Sequence, residues 1–320
     1  MKNSGWKINY ALRPAKSVER KLVCEIMRQI NISFRLSDYR YIGFGASYFT
    51  DFILFHNELH IKNLVSLEKY EEKKERFEFN KPYGYITIKY GESSQVLDKQ
   101  IEWDSETKDI IWLDYDSVLD VDKINDIELC INKIISGSVV LVSFNASIKG
   151  NEAGKRIPVV EEIFDKDKLP LKISEKDLDP IDIHKFFHNL LEISIEKALY
   201  EKNSKYVEKC DQYSYKQIMF FKYKDGAPML TLGYIFYKNS DKGKIDNCNF
   251  ELTEGYIGSN EPYVIDIPNF TAKEIQEINR HIPDVEQIQR SLEFLSETDI
   301  EKYLKIYRFF PHYRETSYIQ

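Results

Sequence analysis

Two glycines, Gly43 and Gly45, close the apolar run that starts at Tyr39, and Ala46, Ser47 and Tyr48 follow them. A chain leaving a strand through such a pair can turn tightly and bring its backbone close to a ligand. The next apolar run ends in a carboxylate, Glu68, 23 residues beyond Gly45, where an acid can take both hydroxyls of a ribose. A third run ends in Gly91-Glu92-Ser93, a fourth in Asp114-Tyr115-Asp116-Ser117 and a fifth in Phe144-Asn145-Ala146-Ser147. Asp114 and Asp116 place two carboxylates at one strand end. A dinucleotide fold asks for G-x-G-x-x-G, but Tyr48 holds the third glycine's place, so a ligand with a ribose and no pyrophosphate suits this turn better.

The elements that must position these residues are legible in the periodicity. Apolar residues at Val18, Leu22, Val23, Ile26, Met27 and Ile30 predict a helix, with Ser17 as its N-cap. Strands are expected at 39–45, 63–68, 85–90, 109–114 and 137–144, with helices at 50–60, 70–80 and 121–135 between them. Strands alternating with helices build a parallel sheet from βαβ units. The polar, proline-broken stretch 150–180 reads as an insertion or loop, and 181–200 as an amphipathic helix. The runs 215–223 and 229–237 flank Asp225-Gly226, a strong turn signal, and predict a hairpin. Beyond about residue 269, three segments have helical spacing. The expected fold is therefore α/β: a Rossmann-like, mostly parallel seven-stranded sheet with a terminal antiparallel hairpin and a C-terminal helical appendage. The expected units are a basic helical segment covering the cleft (1–37), the core with its insertion (38–240) and the appendage (241–320).

Composition narrows the function classes. The chain has 320 residues, 42% hydrophobic and 30% charged, which excludes wholesale disorder. No apolar run approaches the roughly 20 residues of a membrane-spanning helix, and the first residues lack the apolar core of a secretory signal. Cys24, Cys130, Cys210 and Cys248 are far apart and predict reduced thiols rather than disulfides or a zinc site, so a soluble cytoplasmic protein is expected. The net charge of −7 argues against indiscriminate nucleic-acid binding. Residues 1–40 nevertheless carry nine basic against three acidic residues, either as a solvated helix face or as a patch that steers a phosphate or an anionic substrate. His184 and His188 are spaced i, i+4 and could place a base or a metal, but no third ligand accompanies them, so no metal is expected. The stretch 303–318 interleaves aromatics with Arg308, His312 and Arg314, as base-stacking segments do and as packed helices also do.

In order and position, these strand ends resemble the motifs of the class I S-adenosylmethionine-dependent methyltransferase superfamily, and the chain also resembles bacterial proteins labelled as O-methyltransferases. The resemblance spans about residues 10–240. It implies S-adenosylmethionine as cofactor, held by Gly43, Gly45, Ser47, Glu68, Gly91, Glu92 and Ser93, with the first glycine motif at 41–47 and the adenine-contacting motif at 91–93. It implies that Asp114 and Asp116 line the methyl-transfer site as catalytic residues. An N-terminal segment covering the cleft would bring Arg13 and Lys16 to the substrate, with Asn145 and His184 also on the substrate side. Two departures stand out. Tyr39, Arg40 and Tyr41 occupy the place of the acid that normally precedes the glycines, and no D/N-P-P-Y/F motif follows the fourth strand. Three functions are carried forward: methyl transfer to an oxygen or nitrogen of an unknown acceptor; a catalytically inactive nucleoside-binding or partner-recruiting module; and a nucleic-acid methyltransferase. A small-molecule or nucleic-acid acceptor, a homodimer and a protein partner are left open, and no membrane is expected.

Overall fold

Along each central strand, alternate residues are apolar on both sides, and this pattern requires cover on two faces. The computed structural model describes residues 13–148 and 154–311. The strands β1 (Arg40–Gly43), β2 (Asn63–Glu68), β3 (Ile86–Tyr90), β4 (Asp109–Val118) and β5 (Ser138–Asn145) run parallel. The antiparallel hairpin of β6 (Tyr213–Lys224) and β7 (Pro228–Lys238) joins them through β7, which pairs with β5. A short strand, β8 (Tyr263–Ile265), pairs parallel with β6 at the edge. The sheet thus has eight strands, in the order β3-β2-β1-β4-β5-β7-β6-β8, one more than the seven expected. Its topological switch lies between β1 and β4, whose carboxyl ends open a crevice.

The helices are α1 (Pro14–Ile30), α2 (Thr50–Leu59), α3 (Lys74–Asn80), α4 (Ser93–Lys99), α5 (Val121–Lys133), α6 (Arg156–Ile163), α7 (Ile183–Asn203), α8 (Lys242–Asp246), α9 (Ala272–His281), α10 (Val285–Ser291) and α11 (Glu297–Ile306). Tyr41, Ile110, Trp112, Val139 and Leu141 pack with α1, α2 and Phe77 of α3. Their neighbours Ile42, Ile111, Leu113, Val140 and Val142 pack with α4, α5 and α7 on the other face. Helices α9–α11 bury a small core of their own around Ile278, Ile288 and Tyr303. None of the helices described is long and apolar enough to cross a membrane.

Several boundaries differ from the sequence expectation. α1 begins at Pro14 rather than after Ser17, because proline's fixed φ and missing N–H suit the first helical position. The charged helix expected at 70–80 opens with a 3₁₀ turn, Glu71–Lys73, before α3. The stretch at 150–180, read as an insertion or loop, contains the helix α6, and β4 runs on to Val118. His312 and Arg314, of the stretch left open between base stacking and helix packing, lie outside the described residues.

Candidate functional site

The carboxyl ends of β1–β5 surround one cleft of about 950 Å³. At its β1 side the backbone is fixed by a small hydrogen-bond network. The Gly45 N–H donates to Ser66 Oγ (3.0 Å), while the Ala46 N–H and the Ser66 hydroxyl both donate to Glu68 Oε1 (2.8 Å each). A Cβ on Gly45 would stand 2.5 Å from the Phe49 ring and 2.6 Å from Ser66 Oγ, so only glycine fits. Ala46 and Phe49 adopt left-handed φ of 50° and 48°, which carries the chain sharply from β1 into α2. Burial pushes the Glu68 carboxyl from 4.5 up to about 7, against the opposing pull of its hydrogen bonds from Ser66, Ala46 and Gly45.

At the β3 side, Glu92 is half exposed and paired with Lys69 at 2.6 Å. The Ser93 hydroxyl donates to Asp126 Oδ2 on α5 (2.5 Å), which also accepts from the Tyr115 hydroxyl (2.8 Å). Ser93 and Tyr115 are thereby anchored to α5 through one buried carboxylate, whose pKa burial raises.

The floor of the cleft is ionic. The first turns of α1 place Lys16 Nζ at 2.7 Å from both Asp114 Oδ1 and Glu19 Oε2, 3.3 Å from the Tyr223 hydroxyl and 4.8 Å from the centre of the Trp112 ring. Burial disfavours the Lys16 ammonium, but Asp114 and Glu19 more than offset that, and its pKa stands well above the ordinary lysine value. Burial raises the Glu19 carboxyl against the pull of Lys16, and Glu19 also accepts a hydrogen bond from Thr231. Burial likewise holds Tyr223 well above the ordinary phenol range. Beside this group Arg20 is paired with Asp51 of α2, both buried. The N–H groups of Ala15 and Lys16 donate to the Asp225 carboxylate (3.3 and 2.7 Å), in the loop between β6 and β7, and this anchors the end of α1 at the cleft.

The structure brings most of the expected residues together. Gly45, Glu68, Gly91, Glu92 and Ser93 line one part of the cleft, and Asp114, Asp116, Asn145, Arg13 and Lys16 line another. Asn145 Oδ1 accepts from the Ser147 N–H (3.0 Å) and hydroxyl (2.7 Å). Three expected residues do not line it. Gly43 is covered by the Tyr41 hydroxyl, and Ser47 is buried with its own hydroxyl unpartnered. His184 is turned to the Ile181 carbonyl and Glu261 Oε2 (3.0 Å each) and is packed on Phe220. Lys16 is also corrected in role: its buried ammonium is taken up by the protein's own carboxylates, not offered to an anionic substrate. Nor are Lys16 and Arg20 part of a solvated helix face. Sequence reasoning missed Glu19, Asp51, Tyr223 and Asp225; the i, i+3 pairing of Lys16 with Glu19 was the one signal available.

Residues 8–318 match the model of the family described as "Putative O-methyltransferase". No curated protein matches the sequence. Among solved structures, the chain is similar to the O-methyltransferase TomG of Streptomyces achromogenes, in complex with S-adenosylmethionine. That match has 11% identity and a TM-score of 0.36, covering 74% of this chain and 99% of that one. It is also similar to an O-methyltransferase from Bacillus cereus in complex with S-adenosylhomocysteine, with 11% identity and a TM-score of 0.35, covering 68% and 80% of the two chains.

Proposed function

We propose that this chain, which belongs to the family described as "Putative O-methyltransferase", is an enzyme that transfers a methyl group from S-adenosylmethionine to an oxygen or nitrogen acceptor. The observation that carries the reading is the meeting of four strand ends in one cleft, with Gly45 after β1, Glu68 closing β2, Glu92 after β3 and Asp114 on β4.

The residues present fit that donor. The cleft is at the upper end of ordinary ligand-site volumes, room for a nucleoside and an acceptor beside it. Glu68 Oε1 is occupied by the Gly45–Ala46 loop, so Oε2 is the oxygen that would take the ribose hydroxyls. Glu92 and Ser93 would border the base, with Ser93 acting through its anchorage to Asp126. When bound, the donor supplies an activated methyl on a sulfonium leaving group, so what is asked of the protein is chiefly in-line positioning. Asp114, held by Lys16, would orient the acceptor, while Asp116 and Asn145, which line the same cleft, would face the acceptor and Asp116 would receive the proton of a hydroxyl or amine. The described end of α1 would close the cleft, fastened there by Asp225.

Calorimetric titration of the purified protein with S-adenosylmethionine and S-adenosylhomocysteine tests the reading. Micromolar binding of both is expected, weakened about tenfold or more in Glu68→Ala by loss of hydrogen bonds to a carboxylate. Absence of binding up to millimolar ligand would sink it.

A further inference from the structure

Five ionisable side chains meet beneath the cleft from three elements: Lys16, Glu19 and Arg20 of α1, Asp51 of α2 and Asp114 of β4. All but Asp114 are buried, and the Asp114 side chain keeps 19% of its surface exposed where it lines the cleft. Lys16 has no donor left for a ligand, because its ammonium serves Asp114, Glu19 and Tyr223. With every group ionised the five sum to one negative charge. Four of the five are shut away from water, so the charge of the cluster is screened less than that of a surface group.

We propose that this cluster discriminates the charge on the donor's sulfur, favouring the sulfonium of S-adenosylmethionine over the neutral thioether of S-adenosylhomocysteine through Asp114, with Lys16 as the positioning residue that sets the strength of the preference. The inference rests on the methyl-donor reading above. In the transfer, a lone pair of the acceptor would form the new bond to the methyl carbon as the carbon–sulfur bond breaks and leaves its electron pair on sulfur, and the acceptor's proton would pass to Asp116. The cluster therefore loses its electrostatic hold on the spent donor at the moment the product forms. The two ligands differ only by that methyl and its charge, so the ratio of their affinities isolates the effect from any general change in the cleft.

The test is calorimetric titration of both ligands into the wild type, Lys16→Met, Lys16→Arg and Asp114→Asn. Lys16→Met removes a positive charge, and the preference for S-adenosylmethionine is expected to rise by about tenfold. Asp114→Asn removes a negative charge, and the preference is expected to fall by about the same factor. Lys16→Arg keeps the charge and should leave the ratio within about twofold of wild type. The Lys16→Met contrast is read in a Glu19→Gln background, so that a proton taken up by Glu19, whose carboxyl burial raises against the pull of Lys16, cannot cancel the charge removed. A merely structural role for Lys16 would weaken both ligands equally and leave every ratio unmoved, and that result overturns the inference while the donor reading stands. A ratio that moves the same way in Lys16→Met and Asp114→Asn overturns it too. If Lys16→Met does not fold, Lys16→Arg and Asp114→Asn decide. Wild type that binds neither ligand overturns the donor reading and this inference with it.

Discussion

Gly45 and Glu68 act as a pair: the glycine allows the backbone to lie against Phe49 and Ser66, and the carboxylate holds that backbone in place. Adding one methyl at Gly45 overpacks the turn, and Gly45→Ala is expected to lower unfolding stability by about 1–3 kcal/mol in a urea titration. Glu68 makes a pH prediction. Its folded-state pKa of about 7 lies above the ordinary 4.5, so the folded protein favours the protonated acid. That contribution is fully present below about pH 4.5 and is lost as the pH rises through 7, on the order of 3 kcal/mol in all. Glu68→Gln keeps the acceptor for Ala46 and Ser66 and removes the titration. The stability difference between wild type and Glu68→Gln should therefore shift against the wild type between pH 4.5 and 8, and an unchanged difference in urea melts at the two pH values would refute it. Both residues were legible in the sequence, because a glycine and an acid that end apolar runs stand out from their surroundings. The burial of Lys16, Glu19 and Arg20 was not. On a helix, charged residues default to the solvent side, and only the partners brought by β4, β7 and α2 make their burial affordable.

Among elements, α1 shows why local signals misplace an end. Arg13, its N-cap, makes no side-chain cap, and the free N–H groups of the first turn are satisfied instead by Asp225, 209 residues beyond Lys16. Asp225-Gly226 was readable as a hairpin turn, and the turn forms between β6 and β7; its second duty, capping a distant helix, leaves no trace in local spacing. Asp225→Ala is expected to cost about 0.5–2 kcal/mol, the range for losing an N-cap. It should also raise amide exchange at Ala15 and Lys16 while the hairpin amides stay protected. Protection retained at Ala15 and Lys16 would show that the cap is dispensable. The inner parallel strands were legible from their ends inward because β1, β2 and β5 and the first half of β4 are doubly covered apolar runs, whereas β3, at the edge, shows through the alternation of buried Ile86 and Ile88 with exposed Thr87. β8 was not, since three residues are too few to show a period, and it forms because the edge of β6 offers it a ladder.

For the whole molecule, the chemistry and the C-terminal helices occupy separate cores. The cleft is built on the two clusters that sandwich the sheet, whereas α9–α11 bury Ile275, Ile278, Ile288, Leu292, Ile300 and Tyr303 among themselves. The connection runs through the edge of the sheet. The Tyr263 hydroxyl donates to the Lys305 carbonyl (3.2 Å), the Lys305 ammonium lies 3.9 Å from the centre of the Tyr263 ring, and Ile306 joins the cluster that packs α1. A core of six residues has little to spare, and truncating one member opens a cavity that its neighbours cannot fill. Ile278→Ala is therefore expected to cost about 2–5 kcal/mol locally. That loss should appear in hydrogen exchange as reduced protection across 272–306, with β1–β7 unchanged and the affinity for S-adenosylhomocysteine within about twofold of wild type. A fall in that affinity of about tenfold would mean that α9–α11 bear on the cleft after all, through α1 and the edge strand. Local loosening with affinity intact would place the ligand-binding machinery in the sheet and the helices that sandwich it.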